Sequence, residues 1–198
     1  MKYALLSDIH SNLHALDACL AHAQAQGVER IAILGDLVSY GAFPAEVVAR
    51  CQKLQQDGAI VLRGNHEELI QTHHINSANP NPSLGSQTAE WTHNQLSPAQ
   101  RFWLEILPLT AQVDHMLLVH ASADAPERWR YVDRPALAQT CLDAAAALPL
   151  APDLAGRMHA LAAGRLASVG VGDLPAVVQF VLQHGGGGGA SAGGASAA

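Results

Sequence analysis

The chain has 198 residues, with 49% apolar and 14% charged side chains and a formal charge of −6. That length suits one domain with a sizeable core, and the apolar share excludes a disordered polyelectrolyte. An acidic balance with no dense Lys/Arg run disfavours a large nucleic-acid partner, though not a small phosphorylated ligand.

The three cysteines, Cys19, Cys51 and Cys141, have no paired spacing. They give neither a disulfide framework nor a zinc knuckle, and point to a reducing cytoplasm. The apolar run before Ser7-Asp8 is too short for a signal peptide, and no run reaches membrane-spanning length, so no membrane partner is expected.

Tyr3 to Ser7 reads as a buried strand ending in Asp-Ile-His. Asn12 caps a helix through about Gln26, with Leu13, Leu16, Leu20 and Ala23 at helical spacing and Gly27 as its stop. Arg30 to Leu34 is a second strand, ending in Gly35-Asp36. Pro44 opens a helix through about Gln56, and Ala59 to Arg63 is a third strand, ending in Gly64-Asn65-His66. This alternation predicts an α/β fold with a parallel, doubly wound sheet and helices on both faces. The strand ends then share one edge, where open α/β sheets bind ligands.

A short helix follows His66. Glu67 and Glu68 read as first-turn charges favoured by the helix dipole. Residues Ile75 to Ser83 form an Asn/Pro-rich loop, before helices over Leu84 to Asn94 and Pro98 to Ile106. Gln112-Val113 and Met116 to Val119 read as strands turning at Asp114-His115, the second ending in His120. Arg128, Trp129, Arg130 and Tyr131 offer a substrate or partner surface, though Trp and Tyr after a turn more often serve packing. Past Pro135 alanine and glycine dominate, and Gly185 to Gly189 opens a flexible tail. The organisation is a core over 1–134, an Ala-rich segment over 135–184 and a tail over 185–198.

Asp8, His10, Asp36, Asn65 and His120 form the candidate metal-ligand set. A carboxylate such as Asp36 can bridge two ions. The mixed nitrogen and oxygen donors suit manganese first, with iron, zinc, cobalt or nickel as alternatives. Asn65 can equally cap the next helix, and His120 can equally be a satisfied core histidine. Two ions about 3.5–4 Å apart would clamp a phosphate and share a hydroxide that attacks phosphorus. His66 is the candidate catalytic acid, best suited when protonated.

Four blocks carry a resemblance: Ser7-Asp8-Ile9-His10-Ser11-Asn12; Gly35-Asp36-Leu37-Val38 with Tyr40-Gly41; Arg63-Gly64-Asn65-His66-Glu67; and Leu118-Val119-His120-Ala121-Ser122. Together they resemble the calcineurin-like metallophosphoesterase superfamily, most closely its small bacterial phosphodiesterases and phosphatases. The resemblance implies an α/β/β/α sandwich and a dinuclear site. Asp8, His10 and Asp36 would hold one ion, Asp36, Asn65 and His120 the other, with His66 catalytic. It implies a metal-dependent phosphoesterase acting on a small phosphorylated substrate or a phosphoprotein. The superfamily's later Gly-His-x-His block is absent, and Arg157-Met158-His159 is the nearest candidate. Closing strands are hard to find, with Ser168 to Gly172 the faintest echo. The C-terminal part therefore reads as incomplete or diverged, and the alternative function is an inactive or truncated remnant that only binds metal or ligand.

Overall fold

The structure, a computed structural model, describes residues 1–72, 83–113, 116–147, 159–162, 165–166 and 177–181. Strand β1 (Tyr3–Ser7) leads into helix α1 (Leu13–Ala25), β2 (Arg30–Ile33), α2 (Pro44–Gln56) and β3 (Ile60–Val61). Helices α3 (Asn65–Thr72), α4 (Leu84–Gln95) and α5 (Pro98–Glu105) follow. Then come β4 (Thr110–Val113), β5 (Met116–Val119), α6 (Pro135–Ala146) and the closing strands β6 (His159–Ala162), β7 (Arg165–Leu166) and β8 (Val177–Val181). The expected loop over Ile75 to Ser83 lies outside the described residues up to Pro82. So do the Asp114-His115 turn, Ser168 to Gly172 and the glycine-rich tail.

Local chemistry sets the helix ends. The Asn12 side chain accepts from Ala15 N, closing the first turn of α1. Gly27 takes φ +66° just past its end, as a left-handed helix stop requires. Ser97 and Gln100 form a reciprocal capping box on α5.

Two sheets result. The first runs β3-β2-β1-β8 and is parallel throughout, with Tyr3 opposite Arg30 on one side and Val177 on the other. The second runs β4-β5-β6-β7, with only the β5-β6 pair parallel.

The doubly wound expectation needs correction. Strands β1, β2 and β3 march in one direction, so right-handed crossovers put α1 and α2 on the same face. Alternation along β1 and β2 shows it. Ala4, Leu6 and Ile33 pack with Leu16 and Cys19 of α1, Val47, Val48 and Cys51 of α2, and Leu104 of α5. Tyr3, Leu5, Ala32 and Leu34 face the other way, onto Met116 and Leu118 of β5. On the far side of β5, Leu117 meets Ala145 of α6. The layers are therefore helix, sheet, sheet, helix, the α/β/β/α sandwich that the resemblance implied.

Strands β6 and β7 extend the second sheet and β8 completes the first. Among the described residues, no helix is long and apolar enough to cross a membrane.

Leu118 is fully buried between the sheets. Leu118→Ala is expected to cost about 2–5 kcal/mol in unfolding free energy, read from denaturant titration, with the cavity adding to the lost transfer energy.

Candidate metal centre

Three loops meet at the C-terminal rim of the first sheet. Asp8 N donates to Gly35 O at 3.2 Å, His10 N to Asp36 O at 2.9 Å and Ser11 N to Leu37 O at 2.8 Å. These bonds zip the turn after β1 to the turn after β2. The third loop comes so close that a Cβ on Gly35 would collide with Gly64, and one on Gly64 with the Asp36 carboxylate and backbone nitrogen.

The price of this convergence is backbone strain. Asp8, His10, Ser11, Asp36, Ser39 and Tyr40 all take positive φ, between 47° and 72°. Each costs on the order of 1 kcal/mol in a non-glycine residue.

Glu67 compensates. It is fully buried, and its carboxylate accepts from Asp36 N at 2.9 Å, Leu37 N at 2.8 Å, Val38 N at 3.3 Å and Gly64 N at 2.7 Å. One side chain thus satisfies donors from two loops that carry candidate ligands. The sequence reading of Glu67 as a first-turn helix charge missed this role. Its only sequence signal was adjacency to Gly64-Asn65-His66. Burial, then the nearby Asp36 charge, pushes the Glu67 pKa up to about 7, against the pull of the amides.

Asp36 is the hub. Its Oδ1 accepts from His66 N at 2.9 Å. Its Oδ2 stands 3.4 Å from His120 Nε2, 3.8 Å from His10 Nε2 and 4.0 Å from His66 Nε2. Asp8 Oδ1 lies 3.8 Å from His10 Nε2, while Asp8 Oδ2 accepts from the Ser7 hydroxyl at 2.6 Å. Asn65 Oδ1 is 3.0 Å from His120 Nε2. The six residues singled out from the sequence are therefore together.

Each ligand-type histidine is turned by a backbone carbonyl. His10 Nδ1 bonds Val38 O at 3.1 Å, and His120 Nδ1 bonds Leu34 O at 2.7 Å. A proton on Nδ1 fixes the tautomer and leaves Nε2 to face Asp36, as second-sphere carbonyls do for metal-bound imidazoles. His120 is thus held at both nitrogens, and its Nε2 faces the cluster.

The donor set fits a divalent cation. Donor atoms of His10, Asp36 and His66, and those of Asp8, Asp36 and His120, lie within 4.8 Å of one another. Two ligands each ~2.1 Å from one ion stand roughly 3–4 Å apart, which is the spacing around Asp36 Oδ2.

Electrostatics agree. Burial works against ionisation of Asp36, but the hydrogen bond and charge of His120 outweigh it and lower its pKa. Burial also opposes a charged His120, yet Asp36 pushes that imidazole up to about 9. At His66 burial is the largest cause and lowers the pKa, against the pull of the Asp36 charge. His66 Nδ1 is buried without a partner among the described residues.

Two expectations about neighbouring residues change. Trp129 and Tyr131 are not simple packing: the indole N–H donates to Glu68 Oε2 at 3.1 Å, its ring lies 6.1 Å from that of His120, and Tyr131 is 78% exposed. His159 lies in β6 opposite Met116, four residues before the level at which β5 reaches His120. That is about 13 Å from the rim along the strand, so His159 does not replace the missing block.

Glu67→Ala is expected to lower unfolding free energy by at least about 3 kcal/mol, since several buried amides lose their acceptor. Calorimetry should show cation affinity falling with it. With His120 protonated up to about pH 9, a cation must displace that proton. Affinity should therefore rise by about tenfold per pH unit from 7 to 9 and level off above, measured by titration against a chelating dye.

The calcineurin-like phosphoesterase model matches residues 1–144. The uncharacterized protein MJ0912 of Methanocaldococcus jannaschii is 31% identical over 134 residues, covering 65% of this chain and 53% of that one. The chain thus spans about half the length of this curated relative. A solved metallophosphoesterase from Sphaerobacter thermophilus aligns with TM-score 0.58 and 31% identity, over 72% of this chain and 55% of that one. Hypothetical protein PH1004 from Pyrococcus horikoshii shares the fold, with TM-score 0.58 and 23% identity over 71% of this chain and 62% of that one. On the match over residues 1–144, the chain belongs to the calcineurin-like phosphoesterase family.

Proposed function

We propose that the chain is a metal-dependent phosphoesterase, hydrolysing a phosphomonoester or phosphodiester in a small phosphorylated molecule or a phosphoprotein, with manganese as the preferred ion. The single observation that carries this reading is Asp36 Oδ2, buried and faced by three imidazole Nε2 atoms at 3.4, 3.8 and 4.0 Å. One cation would lie among Asp8, His10 and Asp36 and a second among Asp36, Asn65 and His120. Bound there, the pair supplies a clamp on phosphate oxygens, offsets charge developing on them and acidifies water.

The chain's own groups do the rest. Asp36 and the carbonyl-locked imidazoles of His10 and His120 are preorganised, so little reorganisation accompanies binding. His66 can donate a ring N–H hydrogen bond to the ester oxygen and thereby orient it or protonate it as it leaves. Three buried, unpaired thiols support a reducing compartment, the cytoplasm.

One observation favours the second reading, a remnant that binds but does not turn over. Val119 pairs with Ala162, and the residues that follow Ala162 in sequence, Ala163-Gly164-Arg165-Leu166, include no histidine. Hydrolysis of a chromogenic aryl phosphate and its diester, with added Mn²⁺ or with chelator, separates the two. Turnover that needs the ion, falls by at least about 10³-fold in Asp36→Asn and by about 10²–10⁴-fold in His66→Asn with metal content kept supports the enzyme. Bound metal without turnover on either ester supports the remnant.

A further inference from the structure

Helix α3 meets the segment after β5 through two side-chain pairs. Asn65 Oδ1 is 3.0 Å from His120 Nε2, and the Trp129 indole N–H donates to Glu68 Oε2 at 3.1 Å. Asn65 and Glu68 stand three apart and so share one face of the helix. Trp129 links the pairs on the opposite side, where its ring meets that of His120 edge-on, at 6.1 Å and 72°. We propose that Glu68 and Trp129 are positioning residues: their hydrogen bond latches α3 to the segment after β5 and keeps Asn65 and His120 set to hold one cation between them. The proposal deepens the phosphoesterase reading and rests on its placement of a cation at Asp36, Asn65 and His120.

Local structure does not account for the pair. A first-turn carboxylate is favoured by the helix dipole without any partner from another element, yet Glu68 is half-buried and takes one 61 residues away. Trp129 closes the turn Pro126–Arg128 at φ 52° and ψ 33°, a left-handed backbone that bulky side chains rarely adopt. Such outliers persist where neighbouring structure imposes them. Here Arg128 N donates to Ala125 O at 3.0 Å, and Arg130 is ion-paired with Asp124. The segment is thus tied to itself on both sides of Trp129, and the indole reaches from it to α3.

The latch gains importance when a cation binds. The atoms that pair Asn65 with His120 are the same atoms that would bind the ion, so ligation replaces their hydrogen bond. The Glu68–Trp129 bond uses neither atom and remains. It then keeps two ligands from separate elements at a fixed separation, as outer hydrogen bonds do for metal-binding side chains.

Mn²⁺ affinity is measured by calorimetry, with hydrolysis of the chromogenic aryl phosphate followed alongside. Trp129→Phe keeps a ring and removes the N–H, Glu68→Ala removes the acceptor, and Glu68→Gln keeps an acceptor oxygen. The first two are each expected to weaken Mn²⁺ binding about tenfold, and together no more than either alone, while Glu68→Gln stays within about twofold of the unaltered chain. In a His120→Asn background, Trp129→Phe should change the remaining Mn²⁺ affinity by less than about twofold, because the ligand that the latch serves is gone. Full affinity in either Trp129→Phe or Glu68→Ala, a Gln variant as weak as the Ala variant, or the same loss with and without His120 would overturn the latch. The expected pattern of affinities with no hydrolysis by the unaltered chain supports the latch and overturns the hydrolytic reading. Ion-dependent hydrolysis with affinities that the variants leave unmoved does the reverse.

Discussion

The Glu67 carboxylate, sealed from solvent, holds four backbone amides from two separate loops. Every other feature of the centre depends on this grip. The turn bearing Asp36 has left-handed residues that would relax without it, and the approach of Gly64 to Asp36 would open. The cost of burying a carboxylate is large, and it is tolerated here because its oxygens are matched by donors. Because Glu67 sits on the helix that begins with Asn65 and His66, one anchor sets both of those side chains at once.

Around that anchor the site is tuned through carbonyls. Leu34 O and Val38 O come from either side of Asp36 and each turns one imidazole toward it. The backbone that carries the central carboxylate therefore also aims two of its partners. Displacement of residues 34–38 would misplace all three together. Asp36, at φ 55°, is the strained non-glycine residue of that segment.

Much of this was legible in the residues themselves. Asp8, Asp36 and His120 each end an apolar strand, and strand ends share a rim. The sheet arrangement was harder, because alternation of strands and helices does not say which face each helix covers. Only the strand order does, and that is a tertiary property. Glu67 does sit in a first helical turn, and its bridging role escaped notice because three of its four amide partners lie about thirty residues away in the sequence. Strand β8 is different: Val177-Val178-Gln179-Phe180-Val181 has strand composition, but its surroundings of alanine and glycine drew attention away. Its partner is at the far end of the chain.

That pairing has a consequence for how the molecule is assembled. Strand β1 precedes β8 by most of the described chain, yet β8, residues 177–181, fills one of its two flanks. Until they dock, a row of amide and carbonyl groups along Tyr3–Ser7 remains an open template, the kind that invites pairing with another molecule. Closing so long a loop is entropically slow relative to the local β1-α1-β2 unit. The rate at which β8 finds β1 therefore sets the interval during which nascent chains can associate with one another.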